Sequence, residues 1–118
     1  MNTLGFVFRT APHGCSSGRE GLDAVLASSA YTENIHLFFI DDGVFQLLKH
    51  QQPKAILSRD YIATFKMLEL YEVETIFVSE ESLMARGLST KDLIIDVIIC
   101  KHDQLVAELH QCRQLLTF

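Results

Sequence analysis

The feature that most constrains the fold is a series of short apolar runs that alternate with segments of helical spacing. The clearest run is Ile35–Ile40, which is apolar except for His36. A strand that is apolar on both faces is typical of a parallel sheet covered by helices on both sides. The alternation therefore predicts an α/β fold, a three-layer α/β/α sandwich with a mainly parallel five-stranded sheet.

The strands are expected where β-type residues end at turn or helix-start signals. The five predicted strands are Leu4–Phe8, Ile35–Ile40, Thr75–Ser79, Asp96–Cys100 and Leu115–Phe118. Helical segments follow most of them, and apolar residues at intervals of three and four mark the buried face of each. The predicted helical segments are Gly18–Tyr31, Val44–Leu48, Tyr61–Leu70, Ser82–Arg86 and Asp103–Gln111.

Length and composition limit the organisation and the function. A chain of 118 residues is expected to form one domain spanning 1–118. A net charge of -5 provides no basic surface for direct binding of nucleic acid, and no apolar stretch is long enough to cross a membrane, so we expect a cytoplasmic protein. Three cysteines without a Cys-x-x-Cys pair predict free thiols in a reducing compartment. A hydrophobic content of 48% favours an oligomer with a permanent interface.

Three loops are candidates for a functional site, because ligands of open α/β sheets bind at the carboxyl ends of the strands. They are Thr10–Ser17, Asp41–Asp42 and Ser79–Glu81. In the first loop Cys15 lies just before a helix, where the helix dipole would lower the pKa of a thiol. Cys15 is therefore a candidate reactive thiolate, although a capped loop with an incidental small residue accounts for the same pattern. A small-anion module that uses Thr10–Ser17 as a cradle is a further interpretation.

No cofactor and no metal are expected from the motifs. Gly14, Gly18 and Gly21 depart from the dinucleotide-binding spacing and favour close packing of a helix on the sheet instead. Asp41 and Asp42 could hold Mg²⁺, but helix N-capping accounts for them better. Two cysteines and two histidines near the carboxyl terminus resemble a set of zinc ligands, yet His110 and Cys112 would point to nearly opposite faces of one helix. That set is Cys100, His102, His110 and Cys112. The two cysteines in it are predicted to be core thiols.

Four segments go beyond general α/β patterning: Thr10–Gly14, Gly18–Ala24, Phe38–Leu48 and Arg59–Lys66. Together they resemble the DsrE, DsrF and DsrH family of small α/β sulfur-relay proteins. The likeness covers the full chain and is densest in the first 70 residues. It implies the same fold and a cytoplasmic relay that supports 2-thiolation of the wobble uridine of tRNA. It also implies a heterohexamer with TusB-type and TusD-type paralogues, which passes sulfur to a downstream carrier.

The resemblance assigns the relay's main sulfur-carrying cysteine to the TusD-type chain, in the loop after the third strand. The corresponding stretch here is Phe77–Glu81, which contains Ser79 and no cysteine. A serine cannot form a persulfide, so we expect a structural or positioning subunit rather than a catalyst. The alternative is a relay subunit that carries sulfur on Cys15.

Apolar density alone suggests which surface meets the partners. The segment Asp42–Leu48, with aromatic residues of the next helix, is the candidate interface. Its candidate contact residues are Phe45, Leu48, Tyr61 and Phe65. When its partners are absent, the chain could cover the same surface by forming a homo-oligomer.

Overall fold

The structure is a computed structural model that describes residues 3–9, 17–31, 34–47, 73, 75–93 and 96–118. Its strands are β1 (Leu4–Phe8), β2 (Ile35–Phe39), β3 (Thr75–Ser79), β4 (Ile98–Cys100) and β5 (Gln114–Thr117). Its α-helices are α1 (Ser17–Ser29), α2 (Glu80–Ala85) and α3 (His102–Gln111). Two 3-10 helices are η1 (Asp41–Leu47) and η2 (Thr90–Asp92). No helix within these ranges is long and apolar enough to cross a membrane.

The five strands form one sheet in the order β4-β3-β2-β1-β5, and each neighbouring pair is parallel. The chain builds the sheet outward from β1 to β4 and then returns past β1 to add β5 at the other edge. Because every strand runs in the same direction, all the carboxyl ends lie along one edge of the sheet. This arrangement confirms the predicted α/β class and places the carboxyl ends of β1, β2 and β3 next to one another.

Helices cover both faces of the sheet. On one face, α1 supplies Val25 to a core that contains the alternate strand residues Phe6, Leu37 and Val78. On the other face, α3 supplies Leu105, which packs with Phe38. The two-sided burial of the central strands explains why their sequences are apolar without alternation. The predicted three-layer arrangement is therefore confirmed.

Aromatic rings fill both layers between sheet and helices. The Phe8 and Phe39 rings stack with centroids 4.8 Å apart on the α1 face. On the α3 face the Phe38 and Phe77 rings stack at 5.1 Å. Phe118 follows β5, and its ring lies 5.8 Å from that of Phe8. Such contacts add to the free energy that burial of the rings already contributes.

The element bounds agree with the sequence prediction to within a few residues. Leu4–Phe8 and Thr75–Ser79 are strands with the predicted bounds. The larger differences are at β4, which is shorter than predicted, and at η1, which is a 3-10 helix that begins at Asp41. The predicted helix Tyr61–Leu70 lies outside the described residues.

The turn from β2 into η1 packs directly on the end of β1. The Ile40 amide donates to the carbonyl of Phe8 at 3.1 Å, and the Gly43 amide donates to the carbonyl of Ile40 at 2.9 Å. A Cβ on Gly43 would overlap the Phe8 carbonyl oxygen and lie 2.5 Å from the Phe8 carbonyl carbon. The obstacle is backbone inside the sheet, which cannot move aside. Only glycine allows this close approach.

We expect Gly43→Ala to lower the free energy of unfolding by about 3 kcal/mol, because overpacking against a fixed backbone displaces either η1 or β1. Urea denaturation measures the change. Gly87→Ala is the control: Gly87 has a φ of +67° but no atom within 4 Å of an added Cβ, so only backbone strain of about 1 kcal/mol applies. A Gly43→Ala protein as stable as the wild type would contradict this account.

Candidate functional site at the carboxyl edge of the sheet

The ends of β2 and β3 meet at the carboxyl edge through one hydrogen bond. The Asp41 amide, just after β2, donates to the hydroxyl of Ser82 at 2.9 Å, and Ser82 lies in α2, which follows β3. Two of the three candidate loops are therefore neighbours, as the sheet topology predicts. The third loop, with Cys15, lies in residues 10–16, outside the described residues.

Asp41 is held in an uncommon backbone conformation by contacts on both sides. Its φ is 49°, in the left-handed region that residues other than glycine seldom adopt. Its carboxylate oxygen Oδ2 accepts from Arg9 Nε at 3.3 Å and Nη2 at 3.2 Å. Arg9 follows β1 and Asp41 follows β2, so this exposed ion pair joins the ends of β1 and β2. An exposed pair adds little stability, and its effect here is to orient the turn.

Asp42 is engaged by a second arginine. Its Oδ1 atom accepts from Arg86 Nη2 at 2.9 Å and Nε at 3.1 Å, and Arg86 Nη1 donates to the Ser82 carbonyl at 3.1 Å. The Arg86 guanidinium also lies 5.9 Å from the centre of the Phe45 ring, within the range of a cation–π contact. One side chain thus connects η1 to the end of α2.

The predicted N-capping role of Asp41 and Asp42 is wrong. The Ile40 carbonyl accepts the first hydrogen bond of η1, so both aspartates lie inside its first turn rather than before it. Their carboxylates instead pair with Arg9 and Arg86. Neither arginine is predicted from the sequence, because nothing in a local pattern indicates which distant carboxylate an arginine will reach.

Ser79 ends β3 and has a structural role. It is the N-cap of α2, its hydroxyl accepts from the Ser82 amide at 3.2 Å, and the residue is only 8% exposed. An N-cap hydroxyl satisfies one of the free amides at a helix start. The neighbouring Glu80 is half-buried, and Glu81 is exposed. At this position the chain therefore has a buried, hydrogen-bonded hydroxyl beside two carboxylates.

The two cysteines within the described residues are free thiols in or beside the core on the α3 face. Cys100 is fully buried, and burial raises the pKa of its thiol, with a further increase from the Glu108 carboxylate. Burial and Glu108 raise the pKa of the half-buried Cys112 thiol in the same way. Both groups therefore remain protonated thiols at neutral pH, which makes them poor nucleophiles. Their predicted role as core thiols agrees with these positions.

The structure separates the two histidines of the zinc-like set and packs Gly21 of the glycine pattern against the sheet. His102 and His110 lie in the first and last turns of α3, about 12 Å apart along the helix axis. Among the described residues, no three His, Cys, Asp or Glu side chains are grouped to hold a metal ion. A Cβ on Gly21 would lie 2.5 Å from the Phe8 ring, which supports the predicted close packing of α1 on the sheet.

His36 is a half-buried polar residue that the sequence marks only as an exception within an apolar strand. Its ring makes an edge-to-face contact with the Phe77 ring, with the two centroids 5.7 Å apart. Its Nδ1 atom is buried and has no hydrogen-bond partner among the residues that the structure describes. Burial lowers the pKa of His36, and the Glu108 carboxylate partly opposes that change. The neutral imidazole is thus the form that the fold accommodates.

The chain is a member of the DsrE/DsrF-like family, because the sequence model of that family matches residues 2–118. It is 56% identical to "Protein TusC homolog" of Aliivibrio fischeri and 50% identical to "Protein TusC" of Escherichia coli, over the full length of each protein. The crystal structure of the ychN protein from E. coli superposes with a TM-score of 0.83 at 25% identity, covering all of both chains.

We expect the free energy of unfolding to fall as the pH drops below 6.5, the ordinary pKa of histidine. In that range His36 is protonated to a greater extent in the unfolded chain than in the folded chain, because the folded chain has the lower pKa. Acidification therefore favours unfolding. His36→Gln should show a smaller loss of stability than the wild type between about pH 7.5 and about pH 5.5 in urea denaturation.

The control is Met84→Gln on the exposed surface of α2, which changes no titratable group and should keep the wild-type dependence on pH. If His36→Gln loses as much stability on acidification as the wild type, the lowered pKa of His36 is not the cause of the acid destabilisation.

Proposed function

We propose that this chain is a supporting subunit of a bacterial sulfur-relay complex and that it carries no sulfur itself. The complex would contain TusB-type and TusD-type paralogues as a cytoplasmic heterohexamer and would serve 2-thiolation of the wobble uridine of tRNA. Membership of the DsrE/DsrF-like family and the full-length similarity to TusC proteins support the assignment. The chain's role in the relay would be to position its partners.

The proposal rests on one observation, the serine at position 79. The resemblance assigns the sulfur-carrying cysteine of the TusD-type chain to the loop after the third strand, and here β3 ends in this serine. Its hydroxyl caps α2 and is buried, so it is neither a sulfur acceptor nor free for another role. Glu80 and Glu81 alongside would also disfavour a persulfide anion by like-charge repulsion.

The other thiols that the structure describes support the same conclusion. A persulfide carrier needs an accessible thiolate, because the thiolate is the form that attacks a donor sulfur. Cys100 is buried, and both Cys100 and Cys112 have a raised pKa. Sulfur transfer through this chain would therefore require Cys15, which is the competing proposal.

We further propose that η1 belongs to the interface with the paralogues. Phe45 is half-buried beneath the Arg86 guanidinium, and Met84, on the helix α2 that packs against η1, is 71% exposed. Aromatic, methionine and arginine side chains are enriched at interface centres. The other proposed contact residues, Leu48, Tyr61 and Phe65, lie outside the described residues.

Complementation of a bacterium that lacks its own TusC-type chain tests both proposals together. We expect Cys15→Ser to preserve wobble-uridine thiolation and co-purification of the paralogues. We expect Phe45→Glu to abolish both, because a carboxylate would be desolvated in the interface. Tyr31→Glu is the matched control, since Tyr31 follows α1 and is 91% exposed.

Two results would contradict these proposals, provided that thermal melting shows each variant to be folded. Loss of thiolation in Cys15→Ser with the complex intact would favour the persulfide-carrying alternative. A Phe45→Glu chain that still co-purifies with its paralogues would remove η1 from the interface.

A further inference from the structure

The edge strand β5 has an exposed apolar surface. Leu115 and Leu116 are each 46% exposed and, because side chains alternate along a strand, they lie on opposite faces of the sheet. Natural edge strands are usually protected by charged residues, proline or a bulge. Gln114–Phe118 contains no charged residue and no proline. An edge of this kind favours pairing with another strand.

The hydrogen bonds of β5 show which backbone groups face outward. The Phe118 amide donates to the Val7 carbonyl at 2.7 Å, and the Phe118 carbonyl accepts from the Arg9 amide at 2.8 Å. Both groups of Phe118 therefore face β1. In a parallel ladder this direction alternates along the strand, so Leu116 also faces β1. The amide and carbonyl groups of Leu115 and Thr117 then point away from the sheet.

We propose that β5 pairs antiparallel with β5 of a second copy of this chain, about a two-fold axis at Leu116. The outward groups of Leu115 and Thr117 then form a hydrogen-bonded pair with the same groups of the other copy, in reverse order. Leu116 faces Leu116 on one face of the combined sheet. On the other face each Leu115 faces a Thr117. The strand is thus complementary to itself in hydrogen bonding, shape and charge.

The symmetry argument favours a second copy over other occupants. Pairing of β5 with β4 of another copy would be head-to-tail and would propagate into an open chain, whereas β5 with β5 closes as a dimer. The edge strand β4 also has only three residues, Ile98–Cys100. The proposed pairing is independent of the sulfur-relay role, because it concerns the isolated chain and does not involve η1 or Cys15.

Charge substitution at the two-fold axis tests the pairing. Leu116→Lys and Leu116→Glu each place like charges opposite each other, whereas a mixture of the two variants places opposite charges there. We expect each variant alone to have half the molar mass of the wild type by light scattering after gel filtration. We expect the equimolar mixture to recover the wild-type mass.

Controls separate this effect from a general loss of solubility or folding. Ile98→Lys introduces the same charge at an exposed apolar residue of the other edge strand, β4, and should keep the wild-type mass. Thr117→Pro removes one outward amide while leaving the bonds to β1, and it should also halve the mass.

Three results would overturn the proposal. They are a wild-type chain that is monomeric at every concentration reached, single variants that keep the wild-type mass, and a mixture that stays at the mass of the single variants. A wild-type monomer whose β5 becomes protected from hydrogen exchange only when a paralogue is added would show that the occupant is the paralogue.

Discussion

Burial of the central strands β1, β2 and β3 on both faces is the constraint on which the rest of the structure depends. Burial of apolar side chains is the main favourable contribution to folding, and here it requires helices on both sides of the sheet. The parallel strands then bring their carboxyl ends to one edge. The close contact between Gly43 and the Phe8 carbonyl fixes the turn after β2 against the end of β1. The positions of Asp41, Asp42 and Ser79 follow from this packing.

The polar groups that the structure describes at that edge orient its turns and cap the helix α2. Both aspartates pair with arginines, and the hydroxyls of Ser79 and Ser82 accept hydrogen bonds from the backbone. In many α/β proteins this edge binds a ligand or performs chemistry. Here its polar side chains connect β1, η1 and α2 to one another. Such a connected edge supports the proposed role of the chain as a positioning subunit.

The sequence predicts those features that depend on local patterns. The strand Thr75–Ser79 has its predicted bounds because a β-rich run ends at a helix cap, and the signals lie within a few residues of each other. The predicted start of η1 is wrong because Asp41 adopts a positive φ that tertiary contacts stabilise. The Asp42–Arg86 pair joins residues 44 positions apart, so no local spacing could indicate it. Of the four contact residues predicted for the interface, the structure describes Phe45, whereas Leu48, Tyr61 and Phe65 lie outside the described residues.

The central claim is that this chain supports a sulfur relay without carrying sulfur. The most direct test is the intact mass of each chain after the complex, co-purified with its TusB-type and TusD-type paralogues, is loaded with cysteine-derived persulfide. The account predicts that the TusD-type chain gains one sulfur atom and that this chain keeps its unmodified mass. A gain of sulfur on this chain that disappears in Cys15→Ser would contradict the account and make the chain a relay station itself.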